Sequence, residues 1–197
     1  MKKVRVITAE EAANLVQDGD TFAPGGFVCC DAPESLSIAL ENRFLKTGHP
    51  RDLTLFFAAG QGHRNGTGGE HYRHPGMLRR VIGGHWDQAP SLGELALENK
   101  IEGYCLPQGI ISHMFRDIAA HNVGTISSVG LYTFVDPPVL QGGKVNDVTK
   151  EDIVKLIDVD GKDSCSTNRS KIQIAFPGAS YADEFGNCTM HPRSRSF

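Results

Sequence analysis

Leu53-Thr54-Leu55-Phe56-Phe57-Ala58 is a nearly unbroken apolar run that ends in Ala59-Gly60-Gln61-Gly62. A strand with one wet face alternates apolar and polar side chains. A run that is apolar at successive positions belongs to a central parallel strand covered on both sides. Two other segments follow the same grammar. Thr21-Phe22-Ala23 runs into Pro24-Gly25-Gly26-Phe27, and Tyr104-Cys105-Leu106 runs into Pro107-Gln108-Gly109. Each is a strand that ends in glycine ahead of a helix or loop.

Helical patterns lie between these strands. Thr8 and Glu11 form a capping-box pair, and the helix they open is expected to end near Asp18-Gly19-Asp20 with Gly19 in the left-handed position. Asp31-Ala32-Pro33-Glu34 opens a second helix, in which Leu36, Leu40 and Phe44 recur at i+4 before His49-Pro50 closes it. Residues 92–99 read as a third helix. A fourth places Ile111, Met114, Phe115 and Ile118 on one face. Residues 4–7, 81–84 and 172–176 read as short strands, and Asp160-Gly161 as a hairpin turn. The alternation predicts one doubly wound, three-layer α/β domain with a mostly parallel sheet over residues 1–190, followed by a polar tail at 191–197.

Composition narrows the function classes. The chain has 197 residues and a net charge of −3, with no basic excess for nucleic acid. No apolar run approaches the roughly 20 residues of a membrane span, and residues 1–7 are too short in their apolar part for a signal peptide. Five cysteines, with Cys29 and Cys30 adjacent, fit neither a zinc spacing nor a disulfide framework. A cytoplasmic protein with reduced thiols is expected.

In open α/β sheets ligands bind at the carboxyl ends of strands, where glycine lets them approach the backbone. Gly25, Gly26 and Gly109 are therefore candidate binding residues. Gln108 could donate to a carbonyl oxygen without adding charge, or be a loop amide satisfied by backbone. His63, His71, His74 and His85 fall near Glu70, but without metal-ligand spacing they read as solvated loop histidines, and no metal is expected. Gly66-Thr67-Gly68-Gly69 lacks the ending of a phosphate loop and reads as a flexible loop. Asp117 and His121 stand at i, i+4 on an expected wet face. Glu34, Glu94, Glu98 and Glu151 read as helix residues near N-termini or on solvated faces.

Taken together, these segments resemble the family I CoA-transferases. Pro24-Gly25-Gly26-Phe27 through Pro33-Glu34-Ser35-Leu36 is similar to the family's glycine-rich loop, and Pro107-Gln108-Gly109 to its Pro-Gln-Gly motif. Gly84-His85-Trp86, Glu98-Asn99-Lys100, Thr133-Phe134-Val135-Asp136-Pro137, Gly142-Gly143-Lys144-Val145-Asn146-Asp147, Thr149-Lys150-Glu151-Asp152 and Tyr181-Ala182-Asp183-Glu184 resemble the single-chain propionate and acetate type. The resemblance implies transfer of coenzyme A, a substrate and not a resident cofactor, from an acyl-CoA to a carboxylate. It implies a nucleophilic glutamate in a C-terminal half with no counterpart here, so that no catalytic residue is expected in this chain. Gln108 would lie beside that glutamate and the thioester. The expected partners are the acyl-CoA, the carboxylate, the C-terminal half and further copies of the chain.

The pattern is broken in three places. Leu131-Tyr132 stands where the subgroup carries a small glycine, and Pro137-Pro138-Val139-Leu140 holds an extra residue. The run 164–170 replaces an apolar strand, as a shifted reading frame would. As written it is too polar for an inner strand and is expected at an edge or disordered. Two other functions compete: a sugar-phosphate isomerase or deaminase of similar fold, and a non-catalytic chain that only binds acyl-CoA or a partner half.

Overall fold

The computed structural model describes residues 3–28, 30–168 and 171–189. Met1, Lys2, Cys29, Arg169, Ser170, Met190 and the tail 191–197 lie outside the described residues.

Strand β1 (Thr21–Pro24), β2 (Leu53–Phe57), β3 (Leu78–Gly83), β4 (Glu102–Cys105) and β8 (Ile174–Phe176) form one sheet in the order β4-β3-β2-β1-β8. Every pairing in it is parallel. β2 is the middle strand and all five of its residues are buried. Leu53, Leu55 and Phe57 pack with Phe22, Leu40 and Leu92 on one face, whereas Phe56 packs with Ile82, Ile111 and Met114 on the other. The first face carries helices α1 (Ala9–Ala13), α2 (Glu34–Thr47) and α3 (Pro90–Leu97). The second is covered by α4 (Gln108–Ala119) and by a three-stranded antiparallel sheet. The three expected layers are present, and the all-apolar β2 run is their centre. Leu40 and Met114 are buried as expected, while Leu36 and Phe115 are only partly buried.

Several boundaries differ from the expectation. Residues 4–7 are not a strand: Val6 is 99% exposed, and the Val4 N–H donates to Glu184 O at 3.0 Å outside any ladder. The capping box is present, with Thr8 N donating to Glu11 Oε2 at 2.9 Å and Glu11 N to Thr8 Oγ1 at 3.1 Å. The helix nevertheless stops at Ala13. The Arg43 guanidinium of α2 takes the Ala13 and Val16 carbonyls at 2.6 Å each, satisfying groups that a longer helix would have used. Gly19 does take a left-handed φ of 79°.

The antiparallel sheet of β5 (Gly124–Ser127), β6 (Val154–Val159) and β7 (Lys162–Asn168) was not legible as a unit. Asp160 and Gly161, with φ of 52° and 77°, make the expected β6–β7 turn. β7 corrects the expectation for the polar run at 164–170, because its described part is the inner strand of the order β5-β7-β6. An antiparallel sheet needs one apolar face only. Cys165 and Thr167 point inward and are buried, and the serines alternate with them. The left-handed φ of 62° at Tyr132 gives a physical reason for glycine at that point of the resembling subgroup.

The motif 142–152 has a structural task. β4 is an edge strand, and this segment runs along it. Val145 N donates to Gly103 O at 2.9 Å, and Gly103 N to Thr149 Oγ1 at 2.8 Å. Asn146 Nδ2 reaches Ala96 O at 2.6 Å and Ile101 O at 2.8 Å, and Thr149 Oγ1 donates to Asn146 Oδ1 at 2.5 Å. The edge is thus covered by one backbone N–H, a Tyr104–Lys144 bridge and the Thr149 side chain rather than by another strand. Thr149→Val keeps the volume but leaves the buried Gly103 N–H unpaired. It is expected to lower unfolding free energy in urea titrations by about 1–3 kcal/mol, whereas exposed Lys150→Ala should stay within about 0.5 kcal/mol of wild type.

Candidate functional site

The carboxyl ends of the parallel strands carry loops packed so closely that several positions have no room for a side chain. Gly25 follows β1, donates its N–H to Phe176 O at 2.9 Å, and lies against Pro177, the residue after β8. Gly26 has φ of 104°, and a Cβ there would meet Ala32 N at 2.8 Å. A Cβ at Gly60 would meet His85 O at 2.7 Å. At Gly84 it would lie 2.4 Å from Ala58 O and 3.0 Å from Gln108 Cα. These contacts draw the loops after β1, β2, β3, β4 and β8 into one surface.

Gln108 and Gly109 are exposed in the first turn of α4. Pro107 is the N-cap and supplies no side-chain hydrogen bond, so the first-turn N–H groups of this twelve-residue helix lack intrahelical partners. Their dipoles and the neutral Gln108 amide make this a place where developing negative charge on an oxygen is favoured. Gly109 has open space where a side chain would stand. Gly25 and Gly26 belong to the other side of the surface, since β1 and β4 are three strand spacings apart, about 14 Å. A hollow of about 370 Å³, lined by Pro24, Gly25, Phe115, Ile118, Ile172 and Pro177, opens beside Gly25 on the α4 side of the sheet.

The histidines correct the expectation of solvated loop residues. His71 is buried and uses both ring nitrogens, Nδ1 to Glu41 Oε2 at 2.6 Å and Nε2 to Glu34 Oε1 at 2.8 Å. His74 Nε2 joins Glu41 Oε1 at 2.6 Å. Burial opposes protonation of His71, but the hydrogen bonds and charges of Glu34 and Glu41 outweigh it and raise its pKa. Burial likewise works against the Glu41 carboxylate, yet its bonds to His74 and His71 lower its pKa. His63 and His85 are exposed. Among the described residues no group of three His, Cys, Asp or Glu side chains could hold a metal ion.

The other polar candidates are also occupied. Gly68 and Gly69, expected in a flexible loop, are buried in a 3-10 turn (Gly68–Tyr72); their N–H groups go to Glu34 Oε2 at 3.0 Å and Gln61 O at 3.2 Å. Glu70 caps α3, accepting from Ser91 N at 3.0 Å and Ser91 Oγ at 2.7 Å. Asp117 holds Thr125 Oγ1 at 2.6 Å, which ties α4 to β5, and makes no pair with the exposed His121. Glu151 is outside any helix and pairs with Arg80 at 2.7 Å. Burial pushes the Cys105 thiol up and so away from thiolate chemistry. Gln61, which the sequence showed only as a residue between two glycines, is buried at the junction of two loops.

Comparison with known proteins follows the same lines. The model of the Coenzyme A transferase family matches residues 6–197. Acetate CoA-transferase YdiF of Escherichia coli K12 is 38% identical over 192 residues, 95% of this chain and 35% of its own length. The alpha subunit of an acetate CoA-transferase of the same organism is 27% identical over 99% of this chain and 79% of that subunit. The acyl-CoA transferase YdiF of E. coli O157:H7, solved as a thioester complex with CoA, superposes with a TM-score of 0.92 at 36% identity, over 95% of this chain and 37% of that one. The chain spans about a third of the length of YdiF.

The His71 network yields a pH dependence with a definite sign. A raised His71 pKa means its contribution is complete below its ordinary value of 6.5 and is lost as pH rises through the folded value. The lowered Glu41 pKa means its contribution is present above 4.5 and lost in acid. His71→Gln should therefore destabilise the chain more at pH 6 than at pH 9, by about 3 kcal/mol at the lower pH, the order of a broken buried pair. Chemical unfolding of both proteins at the two pH values checks this, and equal losses would contradict it.

Proposed function

The chain belongs to the Coenzyme A transferase family, and from that premise we propose that it is the α-type half of an acyl-CoA:carboxylate CoA-transferase. Its substrates are short-chain acyl-CoAs such as propionyl-CoA or acetyl-CoA, with a free carboxylate as acceptor. Coenzyme A is a substrate and no further cofactor takes part. The enzyme is cytoplasmic and oligomeric, and works with a C-terminal half that carries the attacking glutamate. Among the described residues no helix is long and apolar enough to cross a membrane.

In this reading the glutamate carboxylate attacks the thioester carbonyl. The C–S bond breaks and CoA leaves as thiolate, giving an acyl-glutamyl anhydride. The thiolate then attacks the glutamyl carbonyl and releases the original acyl group as carboxylate. The acceptor carboxylate reverses the two steps with its own acyl group. At each attack, negative charge grows on a carbonyl oxygen. The chain's contribution is to hold that oxygen: the Gln108 amide and the N–H groups at the start of α4 are donors there, and the tightly packed Gly25-Gly26 turn forms the other side of the surface.

The observation that carries the proposal is the exposed Gln108-Gly109 turn at the head of α4, pressed against Gly84 at the end of β3. Three of the chain's carboxylates are committed to structural contacts: Glu34 and Glu41 to histidines and Glu70 to a helix cap. That supports a half that binds and polarises without attacking. The family match disfavours a sugar-phosphate isomerase or deaminase of similar fold. Tyr132, Phe134, Val139 and Leu140 are exposed, as a chain with an apolar partner surface would have them.

Exchange between propionyl-CoA and acetate tests the proposal. The purified chain alone should give no transfer and should tend to associate. A mixture with a glutamate-containing C-terminal half should be active. In that mixture Gln108→Ala should slow turnover by about 10²–10³, the effect of one lost oxyanion donor, with an unchanged unfolding midpoint. Transfer by the chain alone, abolished by changing one of its own carboxylates, would move the nucleophile into this half and overturn the assignment. Binding of propionyl-CoA without transfer by the mixture would leave a non-catalytic binding chain.

A further inference from the structure

The loops after β1 and β2 are joined by one buried side chain. Gln61, 5% exposed, lies in a short stretch that runs parallel to Val28. Val28 N donates to Gly60 O and Gly62 N to Val28 O, both at 2.8 Å. The Gln61 side chain then crosses to the end of β1, where Nε2 donates to Pro24 O at 3.0 Å and to Gly25 O. A primary amide has two N–H bonds, and both are spent on consecutive carbonyls.

Peptide planarity turns this contact into a directional one. In a trans peptide the C=O and the following N–H point in opposite directions. The Pro24–Gly25 unit is held at both ends, with its carbonyl on Gln61 and its N–H on Phe176 O. The Gly25–Gly26 unit is held by its carbonyl alone, and the Gly26 N–H finds no acceptor among the described residues. Fixing the carbonyl fixes that N–H on the side away from Gln61. The Gly26 φ of 104° holds this geometry, and only glycine adopts it without strain. Gln61 is itself braced from behind: Gly69 N donates to its backbone oxygen at 3.2 Å, and the neighbouring Gly68 N is held by Glu34.

We propose that Gln61 is a positioning residue, one that clamps the Pro24-Gly25 carbonyls so that the Gly26 N–H stands as a fixed donor toward bound substrate. The orientation rests on the geometry of this chain, and its use on acyl-CoA rests on the function proposed above. A glutamine that merely filled space would be indifferent to whether its terminal group donates or accepts.

Gln61→Glu separates the two. At pH 7 the introduced carboxylate offers only acceptors to two carbonyls, and when protonated it regains one donor. Amide hydrogen exchange of the whole chain by NMR, corrected for intrinsic rates, reads the clamp at the Gly25 and Val28 N–H groups. Protection is expected to fall about tenfold or more at pH 7, the order of a lost hydrogen bond or two, and to recover toward wild type near pH 5. Gln61→Met, similar in size and without donors, should lose protection equally at both pH values. Unchanged protection in Gln61→Glu at pH 7, the same loss at both pH values in that variant, or global unfolding of both variants would overturn the proposal. Titration with propionyl-CoA forms the second arm, and both variants should bind it about tenfold more weakly than wild type. If the wild-type chain binds no propionyl-CoA, the CoA reading fails while the exchange result still decides the clamp.

Discussion

The burial of β2 on both faces is the constraint from which the rest follows. Five consecutive buried side chains need two apolar layers, and neither layer is optional. α1, α2 and α3 supply one; α4 and the antiparallel sheet supply the other. Phe56 alone, fully buried, would cost about 3–5 kcal/mol if cut to alanine. Once the strands are parallel, their carboxyl ends all emerge on one side, and neighbouring loops there are only one strand spacing, about 5 Å, apart. The glycines at 60, 83 and 84 are a consequence of that crowding: a Cβ on Gly83 would enter the Phe57 ring at 2.4 Å.

The sequence showed the parallel core because its signals are local and strong: an all-apolar run, glycine after each strand, and a capping box at Thr8. The turn at Asp160-Gly161 was visible for the same reason. It did not show the antiparallel sheet, since Gly124–Ser127 and Lys162–Asn168 are polar enough to pass for loop and become strands only by pairing with each other. Tertiary partners decide β structure in a way that local pattern does not. Helix α1 failed in the opposite sense. Its pattern suited a longer helix, and Arg43, thirty residues away, ended it.

At the site, residue types and their places after strands name candidates but not their contacts. Gln108, Gly25, Gly26 and Gly109 could be named from their position after strands. Gln61 could not, because nothing in Gly60-Gln61-Gly62 tells which carbonyls its amide will meet. His71 differs from its expected place for a similar reason. A histidine in a glycine-rich loop looks solvated until α2 brings Glu34 and Glu41 to its two nitrogens, more than thirty positions from the first and thirty from the second.

The segment that runs along β4 has a wider consequence. With Val145 and Thr149 on the hydrogen-bonding groups of Gly103, the parallel sheet is covered on that flank. The other flank, β8, is a three-residue strand in the outermost position of the strand order. The sheet therefore has a direction of growth. Among the described residues β8 is the flank with no further strand, the one next to Gly25, so that a strand added there would arrive beside the glycine turn and away from Gln108.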